Sequence, residues 1–410
     1  MPNPDKRYRC DPKRAVEIFG DFTDELASSA IREIFRLRAE SNDPITVLIN
    51  SDGGSTRVLR IIDGALNTQD QDGRVPYIIT VAAGNAFSAA ASLLAFGDYA
   101  VAYQHSSIYF HGARYAEYTV TAEKAADINL SLKRSNFETA GQLADKVFSR
   151  LLHRYIFSEK EFKRKRPNVP DAPMLALERF VAHIKQKVSR RVAVLLETTL
   201  DQVRGARHFM GVVLPAVKLG KRYSPIGTDA KLLQELVKYE IKVKGRDNWR
   251  LDDEGRAKLM SDYSLLWEYL FGRHRLVLDK LVSVNGSSLL TTAQFNRFKK
   301  FPKEDKKRQA YLDKHARPKM IPFWFFAVKL TQHLLLGENE LSANEAYWIG
   351  AIDEVIGRAE LYGWRKVFEK DEPVTHPGPT APAAPVTSPG ATNVQSPPSS
   401  PIPNAPPPTS

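Results

Sequence analysis

The 410-residue chain has a single cysteine, Cys10, which excludes an internal disulfide framework and any multi-cysteine metal centre. A reducing, cytoplasmic setting is the expectation. Histidines and carboxylates nowhere fall at metal-ligand spacing, so neither a metal nor another cofactor is expected. The opening "MPNPDKRYRCDPKR" lacks an apolar run, and no secretory leader is read there. Long runs that are both uncharged and apolar are equally scarce. The one membrane candidate, Val75–Gly97, has Pro76 near its start, Gly84-Asn85 in its middle and Asp98 just beyond its end. These divide it into a β-rich piece, "YIITVAA", and a short Ala-rich helical piece, so no membrane span is expected. Proline is thin through the body of the chain: 13 of its 26 prolines lie after Glu372. That tail cannot bury a core, and residues 372–410 are expected to be disordered with polyproline character.

Acidic residues are in deficit over one segment only. Residues 158–320 hold 36 Lys/Arg against 19 Asp/Glu, while the whole chain carries a formal +12, so the remainder is mildly acidic. Clustered cations attract phosphate, and Tyr223, Trp249, Trp267 and Phe295 are available for base stacking. However, "SDYSLLWEYLF" sets Trp267 at the helical spacing of a core. A solvated basic face, or a dock for an acidic partner, remains open beside nucleic-acid binding.

What is present in quantity is strand–helix alternation. "AVEIFGD" reads as a strand, and "DELASSAIREIFRLRAE" carries a helical stripe at Leu26, Ala30, Ile31, Ile34, Phe35 and Leu37. "ITVLIN" is β-branched and apolar, as in a strand buried on both faces. After "SDGGS" the spacing returns to helical in "TRVLRIIDGAL". "VPYIITVAA", a break at Gly84-Asn85, an Ala-rich helix, "YAVAY" and "SIYFHG" follow. This pattern predicts an α/β domain with a largely parallel sheet.

Acyl-transfer chemistry needs a nucleophile, a base, a group orienting the base, and donors for the oxyanion. Ser88 opens the Ala-rich helix, where free N–H groups and the helix dipole favour developing negative charge. Taken alone, Ser88 reads equally as a capping or packing serine. Ser92, one turn on, reads as packing. The G-x-S-x-G elbow is missing, because Ala86 and Ala90 occupy the glycine positions. His111 closes "SIYFH", where a side chain can enter a crevice at strand ends, and His105 competes with it. "NSDGGS" offers a Gly-Gly turn able to aim a backbone N–H at an oxygen.

Order and spacing add what no single motif carries. "FGDFTDELASSAIREIFRLRAESNDPITVLINSDGGSTRVLRIIDGAL", "GNAFSAAASLLAFGD", "SSIYFHGARY" and "LSANEAYWIGAIDEVI" resemble the Clp protease proteolytic subunit, over roughly residues 15–150 and 325–358. The resemblance implies the α/β ClpP/crotonase fold, a ββα spiral. It implies Ser88 as nucleophile, His111 as general base, and the N–H groups of Gly54 and Ala89 as oxyanion hole. Counting back from Leu341-Ser342 puts the orienting acid at Glu338, with Asp353 next in line. Glutamate can hold an imidazole tautomer without itself taking the proton. Asp52 stands where the family has proline, and Glu338 where it has aspartate.

The expected organisation is therefore four segments. Residues 1–157 form the first part of the ClpP-like domain with a handle-like helix, and 158–320 a basic, mostly helical insertion. Residues 321–371 complete the domain, and 372–410 are the tail. The implied function is a serine endopeptidase acting on polypeptide substrates as a homo-oligomer, with an ATPase unfoldase as partner. The alternative is a catalytically silent scaffold whose insertion binds a protein or nucleic acid. A crotonase-type acyl-CoA enzyme is a third reading, and its chemistry does not require the Ser88–His111 pair.

Overall fold

The computed structural model describes residues 9–115, 121–163, 173–205, 290–302, 306–358 and 361. The proline-rich tail lies outside these residues, as do Tyr223, Trp249 and Trp267. Among the described residues is a seven-stranded, mostly parallel sheet with helices packed around it, an α/β fold.

The strands are β1 (Ala15–Phe19), β2 (Ile45–Ser51), β3 (Ile78–Phe87), β4 (Tyr99–Tyr103), β5 (Ser107–Phe110), β6 (Asn339–Ser342) and β7 (Glu354–Ile356). The sheet runs β1-β2-β3-β4-β7, all parallel. Ile45, Val47 and Ile49 of β2 are fully buried, as its β-branched run requires. Helix α1 (Asp24–Glu40) turns Ala27, Ala30, Ile34 and Leu37 inward, and the Thr23 hydroxyl caps it by accepting from the Leu26 N–H. Helix α2 (Thr56–Asn67) packs on α1 and on α3 (Ala89–Phe96). Every residue of α3 from Ala89 to Ala95 is buried, against β3, α2 and the long helix α4 (Ala122–Lys163). Alanine is dense there because small side chains let α3 sit deep between sheet and helices.

Strand β3 corrects one sequence expectation. Gly84-Asn85 is not a break: the strand continues to Phe87. Pairing with β2 runs Ile49↔Ala82 and then Ser51↔Ala86, so β3 carries the extra residues as a bulge. The Asn50 side-chain oxygen accepts the Asn85 N–H at 3.0 Å, replacing the ladder bond that the bulge interrupts. This extension gives β3 two neighbours on one side. Its first half pairs β4, and its end, Ala86–Phe87, pairs Ile108–Tyr109 of β5. Residues 78–96 are thus taken up by one strand, the turn at Ser88 and one eight-residue helix. No helix among the described residues is long and apolar enough to cross a membrane.

Past α4 come α5 (Pro173–Lys185), α6 (Arg190–Gly205), α7 (Thr292–Phe298), α8 (Lys306–His315) and α9 (Arg317–Leu336). Helix α9 packs on α4, α5 and α6, and Trp324, Phe323 and Phe326 lie in the same apolar core as Phe148 and Phe180. Phe295, considered above for base stacking, has the Lys299 ammonium 4.3 Å from its ring centroid. The short helix α10 (Ala343–Trp348) opens on a capping box between Ser342 and Glu345. Glu345 also accepts the Ser189 N–H at 3.1 Å, tying α10 to the α5–α6 turn.

Candidate active site

The site lies where β3 ends and α3 begins. Ser88 is the one described non-glycine residue with positive φ, at φ 56° and ψ −118°. A side chain there costs about 1–3 kcal/mol and persists only where the surroundings hold it. Here the Ser88 N–H donates to the Tyr109 carbonyl at 2.7 Å, and the Ser88 carbonyl accepts the Ser92 N–H at 3.2 Å. The chain therefore makes a sharp strand-to-helix turn of the elbow type although the elbow glycines are absent. Ala86 and Ala90, both fully buried, are small enough to permit it. Ser88 is half-buried, and among the described residues its hydroxyl caps no backbone N–H. Ser92 is buried inside α3.

The glycine turn after β2 presses against this elbow. Gly53 has φ +95°, and a Cβ on it would stand 2.5 Å from the Phe87 oxygen, 2.7 Å from Ser88 Cβ and 3.1 Å from the Ala89 nitrogen. Gly54 forms a parallel bridge with Phe22: the Phe22 N–H donates to Gly53 O at 2.7 Å, and the Ser55 N–H to Phe22 O at 3.3 Å. Because successive peptide groups alternate along an extended chain, the Gly54 N–H points away from Phe22. No described residue accepts from it. Ala89 is the first residue of α3, so its N–H belongs to the open end of the helix. Asp52 is exposed and accepts from the Asn85 side chain at 3.3 Å. It is thus engaged at the outer edge of the loop.

Tight packing at Gly53 makes a prediction. Gly53→Ala combines a disfavoured φ with a collision on backbone and Ser88 Cβ. It is expected to cost about 1–3 kcal/mol of stability and to lower Ser88 reactivity about 100-fold by displacing the elbow. Thermal melts and labelling by a fluorophosphonate check both; wild-type values in the two would remove Gly53 from the site.

His111 follows β5 directly and is half-buried. Phe87, Tyr109 and His111 form a row of rings, with centroids 5.8 Å and then 5.4 Å apart. His111 Nδ1 lies 2.7 Å from the Gly112 carbonyl oxygen. A carbonyl only accepts, so in the neutral ring Nδ1 holds the proton and Nε2 keeps its lone pair, the tautomer a general base requires. Gly112 is itself wedged: a Cβ there would meet the Leu335 carbonyl at 2.6 Å and the Asn136 amide at 2.7 Å. Asn136 of α4 accepts the Ala113 N–H at 2.6 Å, fixing the chain just after His111. Neither Asn136 nor the Gly112 carbonyl was anticipated, and nothing local in the sequence marks them.

Strand β6 runs antiparallel to β5 with Phe110↔Asn339 and Tyr109↔Glu340. One step further in that register sets Glu338 opposite His111. Its side chain, 71% exposed, instead pairs with Arg114: Arg114 Nη2 donates to Glu338 Oε1 at 2.5 Å. Asp353, the next acid considered, is elsewhere and fully engaged, accepting from Arg150 Nε and the Ala100 N–H at 2.8 Å each. His105 is exposed and stacks on Tyr103. Among the described residues no cluster of three or more His, Cys, Asp or Glu groups could hold a metal ion.

The parallel sheet thus ends in a strained serine, with a glycine turn packed against it and a histidine directly after the neighbouring strand β5. Residues 5–165 match the family model described as Clp protease, and the α/β body of the chain is ClpP-like. No curated protein matches the chain. The family so described is one of peptidases.

Proposed function

We propose that this protein is a serine endopeptidase of Clp type that cleaves polypeptides through an acyl-enzyme. Ser88 Oγ attacks the scissile carbonyl carbon while His111 Nε2 takes its proton. The Gly54 and Ala89 N–H groups stabilise the oxyanion. Collapse expels the amine, which receives the proton from His111. Water then repeats the sequence against the ester and frees Ser88. Glu338 serves as the orienting acid when its carboxylate leaves Arg114 and reaches His111, and it then stabilises the imidazolium. The reaction uses no metal or other cofactor. Assembly into a homo-oligomer and supply of unfolded chains by an ATPase go with the family. The observation that carries this reading is the strained backbone of Ser88 at the mouth of α3, because such strain is retained where it serves a reacting side chain.

One observation favours the silent-scaffold alternative: the Glu338 carboxylate rests on Arg114 and not on His111. A fluorophosphonate probe separates the two. It phosphonylates only an activated serine, with loss of fluoride, and peptide mapping of the adduct is expected to locate it on Ser88. An unlabelled, folded protein would leave the scaffold.

A further inference from the structure

Resting on that reading, we propose that Arg114 is a positioning residue that governs His111 by holding Glu338 away from it. Three observations converge. The β5–β6 register brings residue 338 opposite residue 111. The Glu338 carboxylate is nevertheless bound to the Arg114 guanidinium, three residues beyond the histidine. And the proton on His111 Nδ1, the one an orienting carboxylate would accept, is given to the Gly112 carbonyl at 2.7 Å.

Two arrangements of the same groups follow. In the one observed, a neutral carbonyl orients the ring. The tautomer is right for taking a proton, but no negative charge is ready to stabilise the imidazolium as it forms. In the other, Glu338 leaves Arg114, swings toward its cross-strand neighbour and takes over Nδ1. The first is a base of low power and the second one of full power.

Both Arg114 and Glu338 are exposed, at 61% and 71% of their side-chain surfaces. An ion pair so placed is weak, so the exchange is biased by no more than about five-fold. Such a bias suits control. A substrate chain entering beside His111, or a neighbouring subunit reaching Arg114 with a carboxylate of its own, is enough to reverse it. The surroundings that must hold still during the exchange are rigid: Ala113 is pinned by Asn136, Gly112 is wedged against Leu335, and Asn339 donates to the carbonyls of His333 and Leu334 at 3.2 and 3.1 Å. Only the two long side chains need to move.

The test follows the labelling of Ser88 by a fluorophosphonate, with the maximal rate separated from the half-saturating concentration. Arg114→Ala is expected to raise the maximal rate up to about five-fold with the half-saturating concentration unchanged, and Arg114→Lys to restore the wild-type rate. Glu338→Gln is expected to cost a larger factor in the Arg114→Ala background than in wild type, since the carboxylate reaches His111 more often there. An equal factor in both backgrounds, or a lower rate in Arg114→Ala, overturns the proposal while leaving Ser88 as nucleophile. Absence of labelling in every folded variant overturns the peptidase reading and this proposal with it.

Discussion

Arg150→Ala is expected to destabilise the fold by about 3–5 kcal/mol, the penalty for stranding one member of a buried ion pair. At 2–4 °C per kcal/mol this lowers Tm by roughly 10 °C. Arg150 and Asp353 expose only 3% and 2% of their side chains. The guanidinium spends its donors on four acceptors: Asp353 at 2.8 Å, Ala95 O at 3.0 Å, Ala351 O at 2.8 Å and Gly97 O at 2.9 Å. It thereby joins α4 to the end of α3 and to the turn before β7. Asp353 in turn accepts the Ala100 N–H from β4, the strand that β7 pairs with. Removing Arg150 leaves a buried carboxylate and three carbonyls without it. Asp353→Asn keeps an oxygen for the Ala100 N–H and is expected to cost less. Replacing both residues by apolar ones is not expected to recover the loss, because the carbonyls stay orphaned. An Arg150→Ala protein melting within about 2 °C of wild type would mean that water enters and satisfies these groups.

The same network shows how far sequence reasoning reaches. β1, β2, β4, β5, the first half of β3 and α1 to α3 were legible because each is a β-rich apolar run, a helical stripe or an alanine cluster set off from its neighbours by turn residues. "YAVAY" matches β4 residue for residue. Ser88 stood out because a polar residue in a run of alanines opens a helix. Gly84-Asn85 misled because glycine and asparagine usually end strands, and here a side chain 35 residues away, Asn50, replaces the missing ladder partner. Asp353 read as a spare acid, and only its burial against Arg150, 203 residues earlier, reveals a structural role. The Arg114–Glu338 pair spans 224 residues and involves two exposed charges. No periodicity or spacing rule sees such a pair. Its existence depends on β6 finding β5 across the long segment between them.

Ser88→Ala is expected to abolish fluorophosphonate labelling and to reduce peptide turnover by at least about 10³-fold, leaving what the oxyanion donors and binding supply. Its melting temperature should stay near that of wild type, because alanine keeps the Cβ that is strained at φ 56°. Ser88→Gly removes that Cβ. It relieves about 1–3 kcal/mol of backbone strain against about 0.5–1 kcal/mol of added chain entropy in the unfolded state. The glycine variant is therefore expected to be the more stable of the two by about 1 kcal/mol, and equally inert. That combination, stability gained where reactivity is lost, separates a residue strained for chemistry from one that merely caps a helix. A capping serine would show the reverse: both variants less stable than wild type, with labelling, if any, unchanged by its removal.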